Sequence, residues 1–457
     1  MSASRDLVVL GAGPAGLAAA WWAARRGLSV TVLEQAPFVG GAAASHDIGG
    51  MRVDTGSHRL HPSTDPAILG DLRALLGEDL QRRTRNGRIR LAGRWLAFPL
   101  RAADLVRSLP PGFAAGAAWD AATGWARHPR RDDFAEVVRA GLGPTMLRRF
   151  YGPYARKIWG LPPEELSGEQ ARRRIGANSA GGVLKRVLAA GRGEERPWFF
   201  YPRRGFGQIA EALADAAATA GAELRLSSPV TGLTLGDDDV VVGTDGGELR
   251  AGRVWSTVPL PLLARLADAP AEVQAAGSRL RFRSMVLVYL VLDSDRYTAF
   301  DAHYLPGPET PVTRLSEPRN YRDSADDPPG RTVLCAELPC QHGDEHWGAT
   351  DEALGELVRD GLEAVGLPRP EPVEVRVRRL SHAYPIYDHA SAEAFATLDA
   401  WATSLQPRVL TFGRQGLFAH DNTHHALAMA KAAVQALNAP YSWTSAREAF
   451  ARHVVED

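Results

Sequence analysis

The sequence has 457 residues, with 53 Lys and Arg residues balanced by 53 Asp and Glu residues. This balance gives no reason to expect nucleic acid or a strongly acidic partner. The length is enough for roughly two or three domains, and no apolar run reaches the roughly 18 residues that a transmembrane helix needs.

The cysteine content and the first residues favour a cytoplasmic protein. Residues 1–6 lack the apolar core and cleavage site of a secretion signal. The two cysteines, Cys335 and Cys340, suit a reducing compartment better than a disulfide scaffold. We expect both to pack in the interior, with a disulfide between them as the less favoured alternative.

The first forty residues predict a strand, a glycine turn, a helix and a second strand that ends in an acid. The apolar run Leu7–Leu10 indicates a buried parallel strand. Residues 17–24 indicate a helix that ends before Gly27, and residues 29–33 indicate the second strand. Glu34 follows at its tip.

Each glycine of the turn Gly11-Ala12-Gly13-Pro14-Ala15-Gly16 has a mechanical role in this context. The first permits the tight turn, the second lets a pyrophosphate approach the backbone, and the third lets helix and strand pack closely. The unpaired amides of the helix N-terminus attract the pyrophosphate. Glu34 can accept the ribose hydroxyls, so the unit predicts a dinucleotide site rather than an ordinary glycine-rich turn.

Two later segments extend this pattern into a family resemblance. The pair Gly40-Gly41 lets backbone pass close to a cofactor, and the segment Asp54-Thr55-Gly56-Ser57-His58 follows it. With the glycine turn and the acid, they resemble the FAD-binding amine oxidase superfamily. The similarity is to its branch of protoporphyrinogen oxidase-like and UDP-galactopyranose mutase-like proteins.

The resemblance implies an α/β fold with a Rossmann-type FAD-binding domain assembled from discontinuous segments. A substrate domain with a mixed sheet and helices completes it. We expect the FAD-binding domain to comprise residues 1–65, 200–265 and 405–457. Residues 66–199 and 266–404 would form the substrate domain.

The resemblance also implies that FAD is the cofactor and indicates the residues that border it. These are Gly11, Gly13, Pro14, Ala15, Gly16, Glu34, Gln35, Gly41, Ala42, Gly56, Ser57, His58, Val230, Thr257, Gly413, Arg414, Asn422 and Thr423. Ala42 is a departure, because relatives usually have Arg after the glycine pair. One contact to the phosphates or the ribityl chain is therefore missing or supplied elsewhere.

The last block predicts a strand at residues 409–412, a glycine loop and a helix capped by Asn422 or Thr423. The helix N-terminus would direct its positive dipole end at N1 and O2 of the flavin. Relatives usually have Asn-x-Asp-His here, whereas this chain has His424 in place of the acid. A family proton-transfer role at that position is therefore in doubt.

Two groups of residues could be read as metal ligands, and we expect no metal at either. In the run 420–425, His424 and His425 should face different directions on a helix. The acidic triplet 237–239 fits a solvated hairpin turn better than a metal site.

Between these segments the sequence predicts helices and a second sheet. Residues 65–130 indicate mainly helix, broken by a hairpin at residues 89–96. The Ala-rich stretch 112–125 favours a buried helix, with an apolar channel or a membrane surface as alternatives. Strands at residues 285–292, 335–338 and 373–377 would form a sheet that roofs the flavin.

Seven residues are candidates for catalysis in the substrate pocket. They are His58, Arg59, His61, Trp159, Tyr304, Arg314 and Tyr384. Histidine suits proton transfer near neutral pH, and Arg314 could pair with a carboxylate or phosphate. For each residue, a structural role without catalysis stays open.

The favoured function is an FAD-dependent oxidoreductase that moves a hydride between a small or medium organic substrate and the flavin. Because only one dinucleotide unit is present, NAD(P)H or oxygen would act as a diffusing electron partner. One alternative is a redox-neutral isomerase resembling UDP-galactopyranose mutase, acting on a nucleotide sugar. A second alternative is a non-catalytic FAD-binding protein.

Overall fold

The computed structural model describes residues 4–100, 108–174, 197–438 and 441–450. Eighteen strands lie within these ranges. They are β1 (Arg5–Leu10), β2 (Val30–Leu33), β3 (Ser45–Ile48), β4 (Met51–Asp54), β5 (Leu80–Thr84), β6 (Gly87–Leu91), β7 (Arg94–Phe98), β8 (Trp198–Pro202), β9 (Glu223–Arg225), β10 (Val230–Leu235), β11 (Val240–Thr244), β12 (Gly247–Ser256), β13 (Arg281–Leu292), β14 (Ala302–Tyr304), β15 (Arg314–Ser316), β16 (Thr332–Cys340), β17 (Glu374–Ile386) and β18 (Val409–Thr411).

Helices pack on both large sheets and on one another. In the described ranges they are α1 (Pro14–Ala24), α2 (Pro66–Leu76), α3 (Pro111–Ala122), α4 (Phe134–Leu142), α5 (Pro144–Met146), α6 (Gly152–Trp159), α7 (Gly168–Arg174), α8 (Gln208–Thr219), α9 (Leu260–Leu266), α10 (Ala271–Arg279), α11 (Glu345–Gly348), α12 (Asp351–Ala364), α13 (Ser391–Ser404), α14 (Gly413–Gly416), α15 (Thr423–Gln435) and α16 (Tyr441–Phe450).

The first sheet has the order β10-β11-β12-β1-β2-β9, and β18 also pairs with β12. β1 is parallel to both β2 and β12. Its residues alternate between two cores: Leu7 and Val9 pack in one, while Val8 and Leu10 pack in the other. Both faces are therefore covered, which explains the unbroken apolar run. The strands of this sheet come from separate parts of the chain. The predicted α/β fold is confirmed.

The second sheet has the order β17-β13-β16-β15-β14-β6-β7. Val286, Val288 and Leu290 of β13 pack in a core that contains residues of α12. Met285 and Leu287 lie on the opposite face and line the cavity described below. The predicted strands at 285–292, 335–338 and 373–377 fall in β13, β16 and β17, so the sheet that roofs the cavity is confirmed.

Residues 65–130 contain less helix than the sequence indicates. The predicted hairpin is present as β6 and β7, but β5 precedes it and pairs with β8. The Ala-rich stretch forms α3 and the turn that follows it, and both are largely exposed: Trp119 on α3 is 71% exposed and Trp125 in the turn is 84% exposed. The expectation of a buried helix was wrong, because α3 packs through one face only.

The predictions for the two cysteines and for the acidic triplet are confirmed. Cys335 and Cys340 are both free and buried in β16. Residues 237–239 form the turn between β10 and β11, where Asp239 pairs with Arg250 at 3.0 Å. In the ranges that the structure describes, no helix combines the length and apolar character required to cross a bilayer.

Candidate functional site

A cavity of about 550 Å³ is lined by residues of both large sheets. Leu10 and Thr257 contribute from the first sheet, and Leu287 and Arg314 from the second. The volume lies within the usual range for small-molecule and cofactor sites. Of the predicted site residues, all but Gly16 and Trp159 line it.

The glycine turn forms one end of this cavity, and its glycines have different surroundings. Gly11 has φ +101°, and a Cβ there would lie 2.5 Å from Oγ1 of Thr257. A Cβ on Gly16 would lie 2.0 Å from the carbonyl oxygen of Gly11, which places Gly16 beneath the turn. A Cβ on Gly13 would meet no atom within 4 Å, so Gly13 leaves space open at the N-terminus of α1.

Glu34 is held at the tip of β2 by backbone amides. Its Oε2 accepts a hydrogen bond from the amide of Ala12 at 2.8 Å, and its Oε1 accepts from Ala36 at 2.9 Å. The amide of Gly40 donates to the carbonyl of Ala12 at 2.8 Å, which brings the second glycine pair against the turn. The carboxylate is thereby fixed where a ribose would lie beside the turn.

The last block closes the same end of the cavity. Gly413 approaches α1 closely, since a Cβ there would lie 3.3 Å from Cβ of Ala15. Arg414 donates to the carbonyls of Asp421 at 3.2 Å and Ala383 at 2.6 Å, and burial lowers its pKa. Asn422 forms a capping box at the start of α15, as predicted.

A buried carboxylate shapes the segment that follows β4. Asp54 accepts hydrogen bonds from the hydroxyls of Ser45 at 2.7 Å and Tyr201 at 2.6 Å, and from the amide of Phe206 at 2.8 Å. Burial raises its pKa despite these donors. Asp54 itself does not line the cavity, whereas residues 55–59 do, so its role is to hold this segment.

His58 faces the cavity and is neutral. Its ring stacks on Phe206 with centroids 5.2 Å apart. Burial, and then the positive charges of Arg314 and Arg414, lower its pKa to about 3. At neutral pH its ring is therefore uncharged and can donate or accept a hydrogen bond, but it is a weak proton acceptor.

Arg59 is the centre of a buried polar cluster. Its guanidinium pairs with Asp301 at 3.2 Å and lies 4.8 Å from the ring centroid of Tyr321. It also donates to the hydroxyl of Tyr304 at 3.2 Å. Burial works to lower its pKa, but the nearby tyrosines and Asp301 raise it further, so Arg59 remains a cation.

Arg314 connects the second sheet to the segment after β4. Its Nε donates to Oε1 of Glu337 at 2.9 Å, and the same oxygen accepts from the amide of Ser57 at 2.8 Å. Although burial works to lower the pKa of Arg314, Glu337 raises it. Tyr384 lies on the same wall, with the guanidinium of Arg414 5.1 Å from its ring centroid.

Trp159 lies behind the cavity wall rather than in it. Tyr154 and Ile158, four residues apart on α6, line the cavity, whereas Trp159 is turned about 100° further around the helix. It is 3% exposed and packs edge-on against Phe134, with centroids 5.5 Å apart. This position gives it no direct access to a bound substrate.

The histidines near α15 pack against one another. His61 lines the cavity and stacks on His424, with centroids 5.3 Å apart. The rings of His424 and His425 are 3.9 Å apart, while Nδ1 of His425 accepts a hydrogen bond from the amide of Asn422 at 3.2 Å. In the part of the chain that the structure describes, no three His, Cys, Asp or Glu side chains group as metal ligands.

Several residues that line the cavity were not predicted. Arg85 and Trp198 reach it because β5 pairs with β8, and neither segment carries a local motif. Glu337 and Asp421 could have been found as acids within segments that the resemblance covers. Asp421 also lines a second cavity of about 260 Å³, and its Oδ2 has no hydrogen-bond partner among the described residues.

The residues at the glycine end fit a dinucleotide. Open space at Gly13, the free amides of α1 and the fixed carboxylate of Glu34 together match a pyrophosphate followed by a ribose. Among the residues that the structure describes, five arginines line the cavity: Arg59, Arg85, Arg174, Arg314 and Arg414. Positive charge is therefore present although Ala42 stands where relatives usually have Arg.

Comparison with known proteins gives the same assignment. A model of the family "flavin containing amine oxidoreductase" matches residues 14–439. The flavin-containing monoamine oxidase AofH of Mycobacterium tuberculosis is 31% identical over 270 residues, which cover 56% of this chain and 57% of AofH. The matched part thus spans little more than half the length of that relative.

Two solved structures resemble the fold over nearly the whole chain. Reduced UDP-galactopyranose mutase gives a TM-score of 0.82 at 18% identity and covers 99% of this chain and 100% of that chain. A protein from Exiguobacterium sp. 255-15 named as a protoporphyrinogen oxidase gives 0.72 at 21% identity and covers 96% and 99%. At these identities the likeness concerns the fold.

Proposed function

The chain belongs to the flavin-containing amine oxidoreductase family and its cofactor is FAD, and on this premise we propose that it is an FAD-dependent oxidoreductase. It would move a hydride between a small or medium organic substrate and the flavin. The observation that carries the proposal is a continuous cavity with a dinucleotide end at Gly13 and a polar, aromatic end at Tyr304 and Tyr384.

The dinucleotide end belongs to the FAD-binding domain, which we assign to residues 1–65, 200–265 and 405–457. Residues 66–199 and 266–404 form the substrate domain. The amides of α1 would bind the pyrophosphate at Gly13, and Glu34 would accept the ribose hydroxyls. The N-terminus of α15, capped by Asn422, would present its positive dipole end to the isoalloxazine ring.

Bound FAD supplies the hydride acceptor or donor. The second sheet supplies the apolar wall through Met285, Leu287 and Leu380, which exclude water from the substrate. Arg59 and Tyr304 form a fixed pair of donors, since their hydrogen bond holds both side chains in place. A substrate with an apolar body and one polar or anionic group fits this lining.

His58 is a candidate for orienting the substrate by hydrogen bonding rather than for taking up a proton. It lines the cavity, and a pKa of about 3 makes its neutral ring a weak base. Oxygen or NAD(P)H would act as the second substrate that exchanges electrons with the flavin. We place the reaction in a reducing compartment such as the cytoplasm, because both cysteines are free.

An anaerobic mixing experiment tests the proposed function. Purified holoenzyme is mixed with amines, sugars, porphyrinogens and polyketides, and the visible absorbance of oxidised flavin is followed. Bleaching by one class, restored by admitting air or another acceptor, supports the oxidoreductase. A colourless protein that stays colourless after incubation with FAD would contradict it.

The alternative is a redox-neutral isomerase like UDP-galactopyranose mutase. One observation favours it: the likeness to that fold extends over 99% of the chain. Its signature would be turnover of a nucleotide sugar only after reduction with dithionite, with no net change in flavin oxidation state. The oxidoreductase is preferred, because the family model and AofH both concern amine oxidation.

A further inference from the structure

The most exposed large apolar side chains in the described ranges lie together on α3 and the turn that follows it. Trp119 is 71% exposed and Trp125 is 84% exposed, whereas Phe38 and Leu226 are each 37% exposed. Such side chains bury a large apolar area when they find a partner. Two tryptophans six positions apart in one segment therefore indicate a contact surface rather than scattered exposure.

One face of α3 packs on the protein and the other is apolar and open. Phe113 and Asp120 are buried on the inner face, and a Cβ on Gly116 would lie 2.7 Å from Oγ1 of Thr145. The outer face carries small exposed residues around Trp119 at helical spacing. These are Gly112, Ala115, Ala118 and Ala122. We call this outer face together with Trp125 the α3 surface.

The residues next to Trp125 are positively charged. Arg127, Arg130 and Arg131 follow it within six positions, and Asp120 is the one acid in residues 108–131. Asp132 and Asp133 come directly after them, but Asp132 is paired with Arg172 at 2.7 Å. Asp120 is 4% exposed and accepts a hydrogen bond from the amide of Thr145 at 2.7 Å, so it does not offset the arginines at the surface. Arg131 is paired with Asp133 at 2.9 Å.

Arg127 and Arg130 keep their charge available. The guanidinium of Arg127 donates to Oγ1 of Thr123 and to the carbonyl of Asp120, neither of which is an acid. Arg130 is exposed, and no ion pair joins its side chain to an acid of the described ranges. The α3 surface thus combines tryptophans and small apolar residues with a cationic border.

We propose that the α3 surface docks on a lipid bilayer that contains anionic lipid. Tryptophan is favoured at the level of the headgroups, where its ring is buried and its N–H stays hydrated. Arginine next to it binds lipid phosphate. A second copy of the chain fits less well, because a two-fold contact through this face would bring the arginines of both copies together.

Vesicle flotation tests this proposal without measuring turnover. The holoenzyme is mixed with vesicles of phosphatidylcholine alone or with about 30% phosphatidylglycerol. We expect it to float with the anionic vesicles, to bind phosphatidylcholine at least severalfold more weakly, and to be released by about 0.5 M salt. The double variant W119S/W125S should lose at least tenfold in binding, and R130E severalfold.

Matched controls distinguish a specific loss of binding through the α3 surface from general effects of substitution. V373S replaces another exposed apolar residue, 57% exposed, and R279E reverses an exposed charge on α10. Both should float like the unmodified protein. Flavin absorbance and the melting temperature, measured for every variant, report folding and FAD binding independently of the membrane.

Three results would overturn the proposal. One is an unmodified, FAD-loaded protein that does not float with anionic vesicles. Another is a W119S/W125S variant that floats as well as the unmodified protein. The third is a dimer in sedimentation velocity that dissociates in W119S/W125S while no vesicle binding occurs, which would assign the surface to a contact between copies.

Discussion

At the scale of single residues, Gly13 is the position where we expect a side chain to interfere with the cofactor and not with the protein. Its backbone has φ −76° and ψ 173°, which any residue adopts, and a Cβ there would meet no protein atom within 4 Å. Gly11, by contrast, has φ +101° and faces Thr257. A substitution at Gly13 therefore tests cofactor binding, whereas one at Gly11 would also disturb folding.

We predict that G13V folds normally but binds FAD at least tenfold more weakly, a loss of about 1.4 kcal/mol or more. The added methyl groups would occupy the space at the N-terminus of α1 that the pyrophosphate needs. Flavin titration by fluorescence and circular dichroism of the flavin-free protein check this. G70A, an open glycine position in α2, is the control and should bind FAD normally.

Asp421 allows a prediction about pH. Burial raises its pKa to about 6 against the pull of Arg173 and Arg414. Between pH ~4 and ~6 the folded state holds a proton that the unfolded state has lost, so this group lowers the free energy of unfolding as pH rises. Above about pH 6 the full cost of a buried carboxylate is present.

D421N should therefore be more stable than the unmodified protein at pH ~8, by up to about 3 kcal/mol at 1.36 kcal/mol per pKa unit. The difference should shrink as pH falls through 6 and vanish near pH ~4. Thermal melts at several pH values measure it. D47N alters a carboxyl that is 74% exposed and should show no such trend; a D421N variant less stable at pH ~8 would contradict the argument.

At the scale of elements, we expect the N-terminus of α15 to combine a structural and a ligand-binding role. Asn422 caps the helix and lines the cavity, whereas Thr350 caps α12, where its hydroxyl accepts from the amide of Ala353 at 3.3 Å. Thr350 does not line the cavity. Substitutions of Asn422 and Thr350 therefore distinguish the stability lost with a helix cap from the FAD affinity lost when the flavin site is disturbed.

N422A and T350A should each lose about 1 kcal/mol of stability, but only N422A should weaken FAD binding severalfold. The cause is the loss of an ordered, positively polarised helix end beside the flavin. Denaturant melts of the flavin-free proteins give the first quantity and flavin titration gives the second. Equal FAD affinity in the two variants would show that the helix end does not contact the cofactor.

The sequence predicts an element well when the residues of that element themselves carry the pattern that determines it. β1, the glycine turn and Glu34 carry their own pattern, because both faces of β1 are buried and the turn needs glycine. Arg85 enters the cavity only because Thr84 pairs with Trp198, which no local pattern records. The face of α3 that carries Trp119 is exposed although its Ala-rich sequence also suits a buried helix.

At the scale of the whole molecule, the cavity is lined by segments from Leu10 to Ala426 and by both large sheets. A cofactor bound there would contact parts of the chain that are otherwise joined by hydrogen bonds. One example is the bond that the amide of Ser57 donates to the carboxylate of Glu337. Because FAD binds the folded state and not the unfolded chain, it stabilises the fold by mass action.

We predict that FAD raises the melting temperature of the flavin-free protein in proportion to the logarithm of its concentration. At one hundred times Kd the gain is about 2.7 kcal/mol. ADP, which can fill only the end at Gly13 and Glu34, should give a smaller rise, and riboflavin should give little. G13V should shift the FAD curve to higher concentration without lowering the starting temperature, because its added side chain meets the cofactor rather than the protein. A melting temperature that does not respond to FAD would mean that the cavity does not bind it in solution.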